Sequence, residues 1–165
     1  MRHSTRPDTL SIADVMTTEI VTTTPDSPVE EVAHDLRHHG FGGLPVVDSD
    51  GILCGIVSEF DVISKPGRTA GEIMTRAVIS VGDETSADQV TALMGVHGIR
   101  RVPVVRDGKL VGIVTRSDLL RLYTLARWDC ETCGDYMRGF AKREKCPRCG
   151  GTTFVLVNEQ RVANG

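Results

Sequence analysis

Four of the five cysteines in this 165-residue chain fall between Cys130 and Cys149, arranged as Cys130-Glu-Thr-Cys133 and Cys146-Pro-Arg-Cys149 with 12 residues between the pairs. The second cysteine of each pair is followed by glycine, Gly134 or Gly150. Two tight turns that each offer two thiolates build a tetrahedral four-sulfur metal site, and glycine relieves crowding where backbone N–H groups approach sulfur. Zinc and iron both suit such a site, and the ligand set does not choose between them. Two structural disulfides are the competing arrangement, and they belong to oxidising compartments. The first residues, Met1 to Asp8, lead into no apolar block with a cleavage site, so the expected location is the cytoplasm, where metal is favoured.

A second chemistry is suggested by Ser58-Glu59-Phe60-Asp61 and Thr115-Arg116-Ser117-Asp118. In each, a hydroxyl precedes a carboxylate by three residues at the expected start of a helix. One reading is a plain capping box, in which both groups satisfy free backbone N–H donors. The other uses the same geometry for a ligand. A helix N-terminus offers unpaired donors and partial positive charge to a phosphate, and a nearby carboxylate accepts both hydrogens of a ribose diol. Spacing leaves both readings open.

The elements that must position these groups are written twice. A shift of 58 residues lays Met16-Thr17 on Met74-Thr75, Gly40 on Gly98, and Pro45-Val46-Val47 on Pro103-Val104-Val105. After a one-residue deletion at Ser49 the offset is 57, and Gly55-Ile56-Val57 and Asp61 meet Gly112-Ile113-Val114 and Asp118. Each copy reads as strand, helix, strand, turn, strand, helix. Ser27 and Glu30 are expected to cap the first helix, with Pro28 at its first position and Val29, Val32, Ala33 and Leu36 buried. Thr85 and Asp88 are expected to cap the equivalent helix, which buries Ala87, Val90, Thr91 and Met94. Gly40 and Gly98 close the two helices. Leu44 to Val47 and Ile52 to Val57, like Val102 to Val105 and Leu110 to Val114, flank Asp-Gly turns and form hairpins. At roughly 55 residues a single copy exposes too much apolar surface, so the two are expected to pack about a pseudo-two-fold axis.

The duplicated Met-Thr, Pro-Val-Val, Asp-Gly and Gly-Ile-Val-(Ser/Thr)-x-x-Asp pattern resembles a pair of CBS domains, a Bateman module, over residues 9 to 124. The resemblance implies an α+β fold of two β-α-β-β-α repeats, with CBS domains at 9–66 and 67–124. It implies adenosyl ligands held in clefts between the repeats, with Asp61 and Asp118 on ribose, Ser58 and Thr115 near ribose or phosphate, and Thr22 and Ser80 by the base. It also implies a homodimer and a regulatory role, in which ligand occupancy shifts the repeats or the dimer contact and the ribbon or a protein partner reads the change. The sequence offers no nucleophile–base pair, paired carboxylates in a shared site or phosphate-cradling glycine loop, so no catalysis is expected. Before its Pro-Val strand the second copy has Arg100-Arg101 where the first has Gly42-Gly43. Guanidinium groups grip phosphate bidentately, so Arg100, Arg101 and Arg116 point to AMP, ADP or ATP rather than an uncharged adenosyl compound. A solvated surface pair is the other reading.

The cysteine-rich segment, residues 125 to 160, resembles zinc ribbons and rubredoxin-like knuckles, with the Cys-Pro-x-Cys-Gly half intact at 146–150. The resemblance implies a small zinc-ribbon-like β domain. Trp128, Tyr136, Phe140 and Phe154 are expected to form its apolar layer. Zinc is the expected ion. A rubredoxin-like iron electron carrier is the first alternative, although rubredoxins usually place a longer stretch between their knuckles.

Composition divides the chain into two modules near residue 125. The chain is 40% hydrophobic and 25% charged, as in soluble globular proteins, and no apolar run approaches the ~20 residues of a membrane span. Its net charge of −3 divides unevenly. Residues 1–124 hold 12 Lys and Arg against 17 Asp and Glu, net −5, and residues 125–165 hold 7 against 5, net +2. Arg138, Lys142, Arg143, Lys145 and Arg148 therefore raise a second alternative, a regulator that touches nucleic acid through the ribbon. Four thiolates around one divalent ion carry −2, so these cations are read first as compensating the metal site. His34 and His38 have metal-ligand spacing without an apparent third ligand, and Cys54 reads as a small buried hydrophobe.

Overall fold

The computed structural model describes residues 9–158. The expectations on residues 1–8 and on 159–160, the last two of the ribbon segment, fall outside that range.

The first repeat contributes helix α1 (Val29–His39), strands β1 (Gly43–Val47) and β2 (Leu53–Ser58), and helix α2 (Glu59–Ser64). After the short helix α3 (Ala70–Ile73), the second repeat contributes β3 (Val81–Gly82), α4 (Ala87–His97), β4 (Arg101–Arg106), β5 (Lys109–Thr115) and α5 (Arg116–Leu125). Three strands follow, β6 (Ala126–Cys130), β7 (Tyr136–Arg138) and β8 (Phe154–Asn158), in the antiparallel order β7-β6-β8.

The duplication extends to pairing. The first strand of each repeat is minimal and parallel to the Pro-Val strand: Thr23 bridges Val46, and Val81 pairs with Val104. The Met-Thr segments are not full strands. Each follows a helical turn, Ile12–Asp14 or α3, and then makes a single antiparallel bridge, Thr17 to Ile113 and Thr75 to Ile56. The two hairpins differ by the extra residue at Ser49. In the second, Asp107 and Gly108 have φ of 51° and 77°, the two-residue turn that matches strand twist. In the first, the Asp48 carboxylate accepts from the Asp50 and Ile52 amides, and the β1–β2 register shifts between Val46 and Val47.

Both long helices end as the sequence predicts, in left-handed Gly40 and Gly98, with φ of 65° and 64°. Their starts lie one residue later than expected. Pro28 is the N-cap of α1, because the Ser27 hydroxyl is taken up in a local turn with Thr24. At the equivalent position Ser86, not Thr85, caps α4, with Gln89 completing the box. Thr91 leaves the buried stripe; it is exposed and its hydroxyl donates to the Ala87 carbonyl.

The described residues form two compact units. One comprises Thr17–Asp83 and Pro103–Ile113, with a core of Val32, Leu36, Leu44, Val46, Val57, Ala70, Ile73 and Met74. Cys54 packs against that core half-buried rather than fully buried. The other unit joins the residues up to Met16, Glu84–Val102, and those from Val114 onward, so the cysteine-bearing strands belong to the same unit as α4 and α5. Its buried side chains include Ile12, Val90, Met94, Leu119, Leu122 and Trp128. No described helix is long and apolar enough to cross a membrane.

Candidate functional site

Both repeat endings form complete capping boxes. At α2 the Ser58 hydroxyl accepts from the Asp61 amide, and Asp61 Oδ2 accepts from the Ser58 amide and hydroxyl, each at 2.7 Å. Its other oxygen, Oδ1, takes the Lys65 ammonium at 2.7 Å. Lys65 Nζ also donates to the Ile73 carbonyl at 3.0 Å, so one cation ties the end of α2 to the end of α3. Burial raises the Asp61 pKa, and the bonds from Lys65 and Ser58 outweigh it, leaving the carboxyl below its usual range.

The same box at α5 uses fewer partners. Asp118 Oδ2 accepts from the Thr115 amide at 2.9 Å and hydroxyl at 2.8 Å, and the nearest cation to Oδ1 is Arg121, 3.8 Å away. Arg116, the first residue of α5, donates its amide to the Arg100 carbonyl and its Nε to the Ile99 carbonyl, each at 3.1 Å. Thr115, Arg116, Asp118 and Arg100 are thereby gathered at one helix start, with Arg101 leading into β4 beside them. Arg100 and Arg116 are exposed. Thr22 and Ser80 occupy equivalent exposed positions, each immediately before the residue that pairs with the Pro-Val strand. Lys65 is the residue that the sequence reading missed. Its signal was an Asp-to-Lys spacing of four along a predicted helix.

The four cysteines converge. Their sulfur atoms all lie within 4.8 Å of one another, with Cys130 to Cys149 at 3.6 Å and Cys133 to Cys146 at 3.7 Å. A tetrahedron of zinc–sulfur bonds near 2.3 Å has sulfur–sulfur edges of about 3.8 Å, so the cage fits a tetrahedral ion. Gly134 and Gly150, with φ of 73° and 76°, turn each knuckle and return their amides to the Cys130 and Cys146 carbonyls. Backbone amides of Cys133 and Thr132 bring the Cys130 thiol down to about 7. At Cys149 the Gly151 amide also favours ionisation, but the neighbouring sulfurs of Cys133, Cys130 and Cys146 win and push it up to about 12. Four thiolates this close need a cation. Trp128 is the buried aromatic of the ribbon, whereas Tyr136 faces outward with the Arg127 guanidinium 5.2 Å from its ring centre. Zinc is tetrahedral without preference from d-electrons, and the cysteines would hold it as thiolates.

The CBS domain family matches this chain twice, at residues 12–67 and 70–124. The chain belongs to the CBS domain family. Each match ends beyond the capping box of its repeat, so both boxes are part of CBS domains. An uncharacterized protein of Methanopyrus kandleri is 34% identical over 122 residues, 68% of this chain and 62% of its own length. The chain thus spans less than two thirds of that relative. Among solved structures, CBSX2 of Arabidopsis thaliana in complex with AMP is 30% identical with a TM-score of 0.65, covering 68% of this chain and 94% of its own. The CBS domain pair of protein MJ0100, in complex with 5′-methylthioadenosine and S-adenosylmethionine, is 33% identical with a TM-score of 0.64 over 70% and 97% of the two chains.

Proposed function

We propose that this CBS pair is a regulatory, non-catalytic binder of adenine nucleotides that carries a structural four-cysteine zinc site in residues 125–160. The observation that carries the reading is the α5 cap, where Asp118 keeps one carboxylate oxygen for a ribose diol while Arg100 and Arg116 stand ready for phosphate. Thr115 holds Asp118 in place and Arg101 adds positive charge on the same side. Thr22 and Ser80 are assigned to the base, and Ser58 and Asp61 to the first repeat's weaker counterpart. Relatives with complexes of AMP and of S-adenosylmethionine support the adenosyl class, and the arginines favour the phosphorylated members.

Regulation requires that the nucleotide bind one geometry of the module or dimer better than another. A homodimer is supported by exposed Ile63 and Leu120, 81% and 64% accessible at equivalent positions of the two repeats. Light scattering of L120D should then show a smaller species than the parent protein.

Calorimetric titration of AMP, ADP, ATP and S-adenosylmethionine tests the ligand. Heat with the three nucleotides, and weaker binding of S-adenosylmethionine, is expected; no heat from any of them contradicts the reading. Metal analysis and a visible spectrum of the same sample test the ion. One zinc per chain without visible colour is expected, and a ferric–thiolate spectrum contradicts it.

A further inference from the structure

We infer that metal occupancy of the four-cysteine site sets nucleotide affinity at the α5 cap, and that nucleotide in turn tightens the metal. This rests on the nucleotide reading above. Helix α5 carries Asp118 at its third position and ends at Leu125, and β6 begins at the next residue and ends on Cys130. The ribose-binding carboxylate and the first metal ligand are therefore joined by a helix ~15 Å long and a strand, with no linker between.

The ribbon also grips this helix from the side. Arg138 donates to the Thr124 carbonyl, and the Phe140 ring stands edge-on to Tyr123 at 6.0 Å. Phe140 lines a cavity of about 320 Å³ together with Met94 of α4 and with Arg116, Leu119 and Leu120 of α5. Its carbonyl accepts from the Leu10 amide at 2.8 Å, and the Leu10 carbonyl accepts from Ala87, the first residue of α4, at 2.9 Å. The segment between the two knuckles thus braces α5, whose first turn presents Arg116 and Asp118, and contacts α4, which leads through Gly98 to Arg100. Trp128, 1% exposed, fixes that segment by donating from Nε1 to the Gly139 carbonyl at 3.1 Å.

A three-stranded sheet of this size lacks the core to fold unaided, so metal supplies its order. Loss of metal removes the Arg138 and Phe140 braces and frays α5, and a nucleotide must then order that helix as it binds. Linkage makes the effect reciprocal.

The test is AMP calorimetry on the full chain as zinc-loaded, chelator-stripped and zinc-restored protein, with hydrogen exchange followed over residues 119–125. Stripping should weaken AMP at least about fivefold and speed exchange in α5, and zinc should restore both. The double variant R138A/F140A keeps all four cysteines. It should bind zinc and AMP, with the zinc dependence of AMP affinity reduced to about twofold or less. Equal AMP affinity in loaded and stripped wild-type protein overturns the coupling and leaves the nucleotide reading standing. Full zinc dependence in the double variant overturns the route through Arg138 and Phe140. Absence of AMP binding in both metal states overturns the nucleotide reading and the coupling with it.

Discussion

The two CBS repeats carry the same capping box and leave it in different states. In the first, both carboxylate oxygens of Asp61 are engaged within the chain, Oδ2 by two bonds from Ser58 and Oδ1 by Lys65. In the second, Asp118 has the same two bonds from Thr115, and its remaining oxygen faces a cation no nearer than 3.8 Å. One position accounts for this. The residue four beyond the aspartate is Lys65 in one copy and buried Leu122 in the other. The glycine pair reinforces the contrast, since a Cβ at Gly43 would approach the Val57 carbonyl to 3.2 Å, whereas its counterpart Arg101 opens β4. The two copies share the scaffold of the box and differ in the cation that closes it, Lys65 at 2.7 Å from Asp61 against Arg121 at 3.8 Å from Asp118.

The largest separation should come from the aspartates. D61A strands a buried set of donors and the Lys65 cation, and should cost about 2–4 kcal/mol in chemical denaturation with little change in AMP affinity per folded molecule. D118A should cost only about 1 kcal/mol of stability, but weaken AMP by tenfold or more. A reversed pattern, with D61A the binding mutant, breaks the comparison. Next, R100A/R116A should weaken AMP by about 1.5–3 kcal/mol and leave 5′-methylthioadenosine, which has no phosphate, nearly unchanged. Equal loss for both ligands would remove the phosphate role of the arginines.

The smallest effect is the pH dependence of the first box. Because the folded pKa of Asp61 lies below its ordinary value, its stabilisation is complete above the ordinary carboxylate pKa of about 3.9 and is lost as pH falls through the lower folded value. The stability gap between wild type and D61N should be constant near neutrality and close below about pH 4. A gap unchanged into that range would mean that the charge of Asp61 adds nothing to its bonds with Lys65 and Ser58.

Periodicity and turn chemistry made much of this legible in the sequence. The repeat offset, the left-handed Gly40 and Gly98 caps, the Asp-Gly hairpins and the paired cysteine knuckles all rest on interactions within a few residues. The misreadings have equally local causes. Ser27 had a competing partner in Thr24, and Ser86 with Gln89 made a better box than Thr85 with Asp88. Tyr136 read as core because aromatic type was weighed without strand face, and the face is set by pairing across β6. The brace of Arg138 and Phe140 on α5 depends on contacts that only the folded ribbon creates.

A crystal structure of the zinc-loaded protein with AMP tests the assignment of ligand to the second repeat most directly. The ribose hydroxyls should sit on Asp118 Oδ1 with the phosphate against Arg100 or Arg116, while Lys65 still holds Asp61. AMP bound instead on Asp61 with Lys65 displaced, and Asp118 left without ligand, would contradict it.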